Sequence, residues 1–258
     1  MTTLLSNEQE QGFISHLEEL RNRVFIALVA VTVGAVIGWI VFPWAYTLLA
    51  GPLLSIVHAR GGQIMTLQPA EAFFTQGKLA VAIGLAIASP IIVWQLWLFV
   101  RPGLKKDEQR VIAPLMPAIS VLFLAGVTVA HFMLPNIARF FISFVPAGVN
   151  PNMGYQDSIN FPLKLMLTFG LAFQLPIVLL GLIALRVLTP QLLLAQWRTA
   201  VVAVAMLAAI ITPDPFNMSI LMVPLLILYF GTVLVAFWLT KSRPAKQVAV
   251  NEEPPITK

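Results

Sequence analysis

The chain has 258 residues, 59% of them apolar and only 10% charged, against roughly 25% charged in soluble domains. Its 16 Lys and Arg and 11 Asp and Glu are too few to coat a water-facing surface around so much Leu, Ile, Val and Phe. That balance excludes a soluble globular enzyme, a disordered chain and a collagen-like fibre, and points to a polytopic membrane protein.

The polar segment Met1–Gly12 carries Glu8 and Glu10 and no basic residue, so it does not read as the n-region of a cleaved signal peptide. The first apolar run is expected to be retained. Phe13, Leu17, Leu20 and Val24 recur at helical spacing, which predicts an interfacial helix feeding into that run. Ser15-His16-Leu17-Glu18 fits a capping box, giving Glu18 a structural task and leaving Glu19 without one, except for an (i, i+4) pair with Arg23.

Cutting at the charges gives six apolar stretches. The first runs from Val24 to about Pro43 and Trp44. A mixed loop with Gly51-Pro52, His58, Arg60, Gly61-Gly62 and Pro69 leads to the second, Leu79–Val100. The basic loop Arg101–Arg110 precedes the third, Val111 to about Leu134. A long loop punctuated by Pro135, Pro146, Pro151 and Gly154 precedes the fourth, Leu165–Leu185. The fifth is Thr199–Ile211 and the sixth runs from about Phe216 to Thr240. These runs are apolar on every side, unlike the alternating segments of a membrane barrel. The expected fold is all-α with six transmembrane helices: a polar tail 1–12, a membrane domain 13–240 and a polar tail 241–258.

Placing both termini inside assigns 12 Lys and Arg to the cytoplasm (Arg21, Arg23, Arg101, Lys105, Lys106, Arg110, Arg186, Arg198, Lys241, Arg243, Lys246, Lys258) against 4 outside or at the outer boundary (Arg60, Lys78, Arg139, Lys164). The positive-inside rule therefore favours N-in, C-in topology, and it accounts for the net charge of +5 better than nucleic-acid binding, for which no basic tract interleaves with aromatics. Trp39, Trp44 and Tyr46 mark one boundary; Trp94 and Trp97 mark the other. The fifth helix is short. Fifteen residues lie between Arg198 and Asp214, about 22 Å of helix against about 30 Å of hydrocarbon, so either lipid thins beside it or neighbours hide it.

No span carries Asp, Glu, Lys or Arg at mid-depth. Gln174 comes nearest, either as an interhelical hydrogen bond or as a contact for a partner helix. His131 has no second ligand at metal spacing. Pro90, Pro114, Pro117, Pro176 and Pro224 are expected to kink helices or to serve as hinges. Without Cys there is no disulfide, thiolate site or Cys nucleophile. The phosphate-binding Gly-x-x-x-x-Gly-Lys-Ser/Thr string is also missing, and no cofactor is expected. Asp107-Glu108 stands ahead of the third helix, where a negative charge favours the helix N-terminus.

The strings Phe13-Ile14-Ser15-His16-Leu17-Glu18-Glu19-Leu20-Arg21 and Ala88-Ser89-Pro90-Ile91-Ile92-Val93-Trp94-Gln95-Leu96-Trp97-Leu98-Phe99, with Pro102-Gly103-Leu104 and Lys106-Asp107-Glu108, resemble the TatC family, the multispanning subunit of the twin-arginine protein translocase. The resemblance extends over about Phe13 to Leu239 and includes Gly51-Pro52-Leu53, Phe73-Phe74 with Lys78, Phe169-Gly170 and Thr212-Pro213-Asp214. It implies a receptor in the cytoplasmic membrane, not an enzyme, that binds signal peptides with two adjacent arginines on folded cargo and draws on the proton gradient. Carried over by position, Glu19 and Glu108 engage the arginines. His16, Leu20, Arg21, Phe99, Pro102 and Leu104 support them, and Pro52 is structural.

The implied partners are single-span amphipathic subunits of TatA and TatB type, membrane lipid and further copies in a complex. Two positions depart from the pattern. Gln174 stands where many relatives have Glu, and the Pro-Asp-Pro turn is spaced differently from the usual Pro-Pro-Asp, which puts the equivalence of Asp214 in question. The competing reading from composition is a small-solute secondary transporter, which needs broken helices or ionisable groups at the midplane and often internal repeats. Only a faint echo between Pro90 and Pro176 points that way. An intramembrane enzyme would need a residue pair that no span contains.

Overall fold

The computed structural model describes residues 2–211 and 215–241. The chain is a helical bundle: α1 (Thr2–Ile40), α2 (Phe42–Ala59), α3 (Glu71–Val100), α4 (Lys106–Ile112), α5 (Leu115–Ser143), α6 (Tyr155–Ala172), α7 (Leu175–Ala184), α8 (Pro190–Ala195), α9 (Trp197–Ile211) and α10 (Pro215–Lys241), with β1 (Ile64–Met65) and β2 (Met153–Gly154) as its strands. Among the described residues six helical stretches are long and apolar enough to cross a membrane, and α9 is shorter than these. By length alone α2 is among these six and α9, the expected fifth span, is not, but α2 starts and finishes at one end of the bundle and is not a crossing, which leaves the short α9 as the fifth.

The α2 helix corrects the mixed loop. Gly51-Pro52 reads as a breaker, yet Pro52 lies inside the helix, and apolar Ala45, Leu49, Leu53 and Val57 recur every fourth residue. All four are buried in one core with Leu134, Ile137 and Ala138 of α5 and Ile159 of α6. The geometry makes α2 a cap. Gly38 of α1 lies against Ala80 of α3, and Trp39 meets Phe73 edge-on. The end of α1 and the start of α3 are therefore neighbours, and the intervening α2 starts and finishes at that same end of the bundle.

The loop expected after about Leu134 is also shorter. Helix α5 runs through Pro135 to Ser143, since neighbouring helices can satisfy backbone groups freed by an intramembrane proline. The parallel pair Ile64↔Met153 and Met65↔Gly154 ties the remaining connection to the loop after α2. Gln63 N–H donates to the Asn152 side chain at 2.9 Å. Glu71 completes the cap. One carboxylate oxygen accepts from Leu67 N–H at 2.7 Å, the other from Gln156 N–H at 2.7 Å.

Long helices pack closely where glycine permits it. A Cβ on Gly34 would lie 2.8 Å from the Gly84 carbonyl oxygen, and one on Gly84 would lie 2.6 Å from the Ala35 nitrogen, so the α1 and α3 backbones touch as in small-residue transmembrane seams. Gly126 does the same for α5 against the Phe169 carbonyl of α6, while Gly170 makes room for the Phe123 ring. The fourth expected span is two helices. Pro176 has no N–H for the Ala172 carbonyl, and the chain turns at Phe173 and Gln174 before α7 begins. Pro114 likewise marks the start of α5, whereas Pro90 and Pro224 lie within helices.

Candidate functional site

The N-terminal part of α1, the C-terminal end of α3 and the segment Arg101–Ile112 meet at the end of the bundle opposite the α2 cap. Helix α1 is continuous from Thr2, so position 15 lies mid-helix and not at the helix start that the expected capping box requires; the Ser15 side chain itself lies outside the described residues. The roles of the two acids reverse: Glu18 is exposed, while Glu19 carries the contacts. Arg23 Nε donates to Glu19 Oε1 at 3.0 Å, and Arg23 Nη2 reaches the same oxygen. Arg23 Nη1 also donates to Gln95 Oε1 across the seam at 3.4 Å. The second Glu19 oxygen faces His16 Nδ1 at 3.8 Å. The His16 ring stacks on Phe99, with centroids 4.4 Å apart and planes 16° from parallel. Leu20, Arg23, Val24, Ile92, Gln95 and Phe99 line a shallow groove of about 130 Å³ along this seam. Arg21 points away, within 3.5 Å of the Asn22 side chain.

The second carboxylate stands on the other side of the turn. Arg101–Gly103 forms one turn of 3-10 helix containing Pro102, and Gln109 Nε2 donates to the carbonyls of Arg101 at 2.9 Å and Leu104 at 3.0 Å. Glu108, in the first turn of α4, accepts from the Lys105 backbone N–H at 3.0 Å, which satisfies one free donor at the helix start. Leu104 packs on buried Trp97, Ile112 and Ala184. Trp97 is thus core, not the boundary aromatic expected, while Trp94 is exposed. Glu108 and Asp107 share a cavity of about 250 Å³ with Lys105 and Arg186. Arg186 ends α7 with φ +59°, a conformation uncommon outside glycine.

The structure therefore brings His16, Glu19, Leu20 and Phe99 together on the α1–α3 seam, and places Leu104 and Glu108 beside α7 at the same end. Gln174 is elsewhere. Its Nε2 donates to the carbonyls of Ile119 at 3.3 Å and Gly170 at 3.2 Å, the interhelical bond open to it, and its Oε1 is buried without a hydrogen-bond partner. Pro52 is half-buried inside α2. Asp214 and the Thr212-Pro213-Asp214 turn lie outside the described residues. The sequence reading missed Gln95 and Gln109 as fasteners and Glu71 as the clasp of the cap. An amide six residues beyond the Pro102-Gly103 turn was the available signal for Gln109.

A bundle of this kind, with its clustered acidic and basic side chains at one end, defines a multi-pass membrane protein. The family model of the Sec-independent protein translocase protein TatC matches residues 15–224. The Carboxydothermus hydrogenoformans TatC protein is 35% identical over 232 residues, 89% of this chain and 94% of that protein. The chloroplastic TATC of Pisum sativum is 36% identical over 231 residues, 88% of this chain and 64% of that protein. A crystal structure of the twin arginine translocase receptor TatC in DDM superimposes with a TM-score of 0.72 at 32% identity, covering 86% of this chain and 99% of that one. The chain belongs to the TatC family. It is a multi-pass core subunit of the twin-arginine translocase and not an enzyme, and the small-solute transporter reading has no support among these likenesses.

Proposed function

We propose that the Phe99 end of the bundle faces the cytoplasm, with both termini inside the cytoplasmic membrane, and that it receives signal peptides bearing two adjacent arginines. Glu19 and Glu108 accept the two guanidinium groups. The observation that carries this reading is that both carboxylates stand at one end of the bundle, joined through the short path Phe99–Glu108. A carboxylate matches the planar fork of arginine with two parallel hydrogen bonds, which the point charge of lysine cannot reproduce. Lys105, Lys106 and Arg110 surround the acids and oppose nonspecific capture of basic peptides, so geometry provides the selectivity. His16, Leu20, Phe99, Pro102 and Leu104 hold the two acids in place.

After docking, the apolar segment of the peptide enters the bilayer beside the bundle. Single-span amphipathic subunits of TatA and TatB type pack against α6 to α10, with Gln174 as a contact, and further copies of the chain join the complex. Thin lipid beside the short α9 eases passage of folded cargo, and the proton gradient supplies the energy. The test is signal-peptide crosslinking to Glu19→Ala, Glu108→Ala and the double variant. Arginine-dependent crosslinks are expected to weaken in each and vanish in the double variant. Undiminished crosslinking there rules the site out. Since the chain has no cysteine, single cysteines at Lys106 and Asn150 report orientation directly: only the latter should react with an impermeant thiol reagent added outside.

A further inference from the structure

Glu19 is not vacant. Its Oε1 already takes two donors from Arg23, while among the described residues Oε2 has His16 as its ionic neighbour, at 3.8 Å. The third arginine nitrogen rests 3.4 Å from Gln95 Oε1, and the Arg23 stem lies in the groove with Leu20, Val24 and Ile92. We infer that Arg23 is a specificity-determining residue: a resident guanidinium that keeps one oxygen of Glu19 occupied until an incoming arginine displaces it onto Gln95. The inference rests on Glu19 being a receptor residue.

The chemistry follows from the two oxygens. Any cation, lysine included, can reach the open Oε2 with a single contact. A two-pronged contact needs Oε1 as well, and so requires Arg23 to leave. An arginine fork regains in parallel hydrogen bonds what is lost when Arg23 moves. An ammonium group cannot, because it presents one charge and no fork. The internal pair thus sets how much of its two-pronged advantage an arginine keeps, because only the forked ligand has to displace Arg23, while a single contact at Oε2 does not. Gln95 makes the exchange reversible by offering the displaced guanidinium a neutral acceptor already within reach.

The experiment measures affinities of a fluorescent signal peptide with two arginines, and of the same peptide with two lysines, for the full chain in phospholipid nanodiscs. In Arg23→Gln the arginine peptide, which no longer has to displace a resident guanidinium, should gain more than the lysine peptide, widening the arginine-to-lysine affinity ratio by about twofold, the factor expected of an (i, i+4) ion pair. Gln95→Leu should weaken the arginine peptide and leave the lysine peptide unchanged. Arg23→Lys, which retains a cation should the glutamine variant fold poorly, should give an intermediate ratio. A ratio in Arg23→Gln and Arg23→Lys equal to that of the unaltered chain overturns the inference. Glu19→Gln separates the two readings. Unchanged arginine-peptide affinity in that variant removes the receptor role itself, whereas a loss there combined with an unchanged ratio in Arg23→Gln removes only the displacement.

Discussion

His16 and Phe99 stack face to face across the α1–α3 seam, their ring centroids 4.4 Å apart, and this contact fixes the helix turn that carries Glu19. Aromatic pairs contribute about 0.5–1.5 kcal/mol beyond the area they bury. Phe99→Ala should therefore weaken the arginine peptide by about two- to tenfold, while Phe99→Tyr, which keeps the ring, should bind as the unaltered chain does. Fluorescence anisotropy in nanodiscs measures both. Equal losses in the two variants would mean that ring stacking is not what positions Glu19.

The glycine seam predicts stability directly. A Cβ on Gly84 meets the Ala35 nitrogen at 2.6 Å and the Val31 carbonyl oxygen at 2.8 Å, and backbone atoms cannot step aside as a side chain can. Gly84→Ala should lower unfolding stability by about 1–3 kcal/mol, the usual cost of overpacking. Gly181, inside α7, has nothing within 4 Å of the same position. Gly181→Ala should raise stability by about 0.5–1 kcal/mol through helix propensity alone. Denaturant titration in detergent distinguishes the signs.

The long charge-free runs were legible because lipid demands apolar length, and the strings that hold Glu19 and Glu108 because each is contiguous. Helix α2 was not, since Gly51-Pro52 and Pro43 imitate a loop, although the four-residue spacing of Ala45, Leu49, Leu53 and Val57 carried the answer. The end of α5 was hidden for the same reason by Pro135. Contacts between distant segments were out of reach altogether. Nothing local marks Gln95 as the neighbour of Arg23, or Glu71 as the acceptor for Gln156, because each pairing exists only after the helices have packed. The capping-box motif at Ser15 misled by being correct in pattern and wrong in place: a helix that has already begun offers it no free amides.

Glu71 predicts an unusual equivalence. Both carboxylate oxygens accept from backbone N–H groups of different segments, Leu67 on one side and Gln156 on the other. Glutamine keeps the shape but must turn its NH₂ toward one of those donors. Glu71→Gln should therefore destabilise the cap nearly as much as Glu71→Ala. Amide hydrogen exchange should quicken at Leu67 or Gln156 in the first variant and at both in the second. Full protection of both amides in Glu71→Gln would contradict the two-acceptor arrangement.

Gln174 separates bundle packing from partner binding. Its Nε2 bridges the Ile119 carbonyl on α5 and the Gly170 carbonyl left without its helical donor at the α6–α7 turn, because the Gln174 N–H goes to Leu171 instead. Leucine removes that donor, but it also removes the buried Oε1 that has no partner, so the two effects oppose each other. Gln174→Leu should cost only about 0.6 kcal/mol, the average for polar contacts between membrane helices. If Gln174 also meets a partner helix, crosslinks from Val178 on the exposed face of α7 to a single-span subunit should fall several-fold while the bundle stays folded. Gln174→Glu, whose protonated carboxyl supplies one O–H, should restore part of both. Crosslinks that persist at full strength in Gln174→Leu would leave the residue with its internal bond alone and assign partner contact to other positions on α7 or α10.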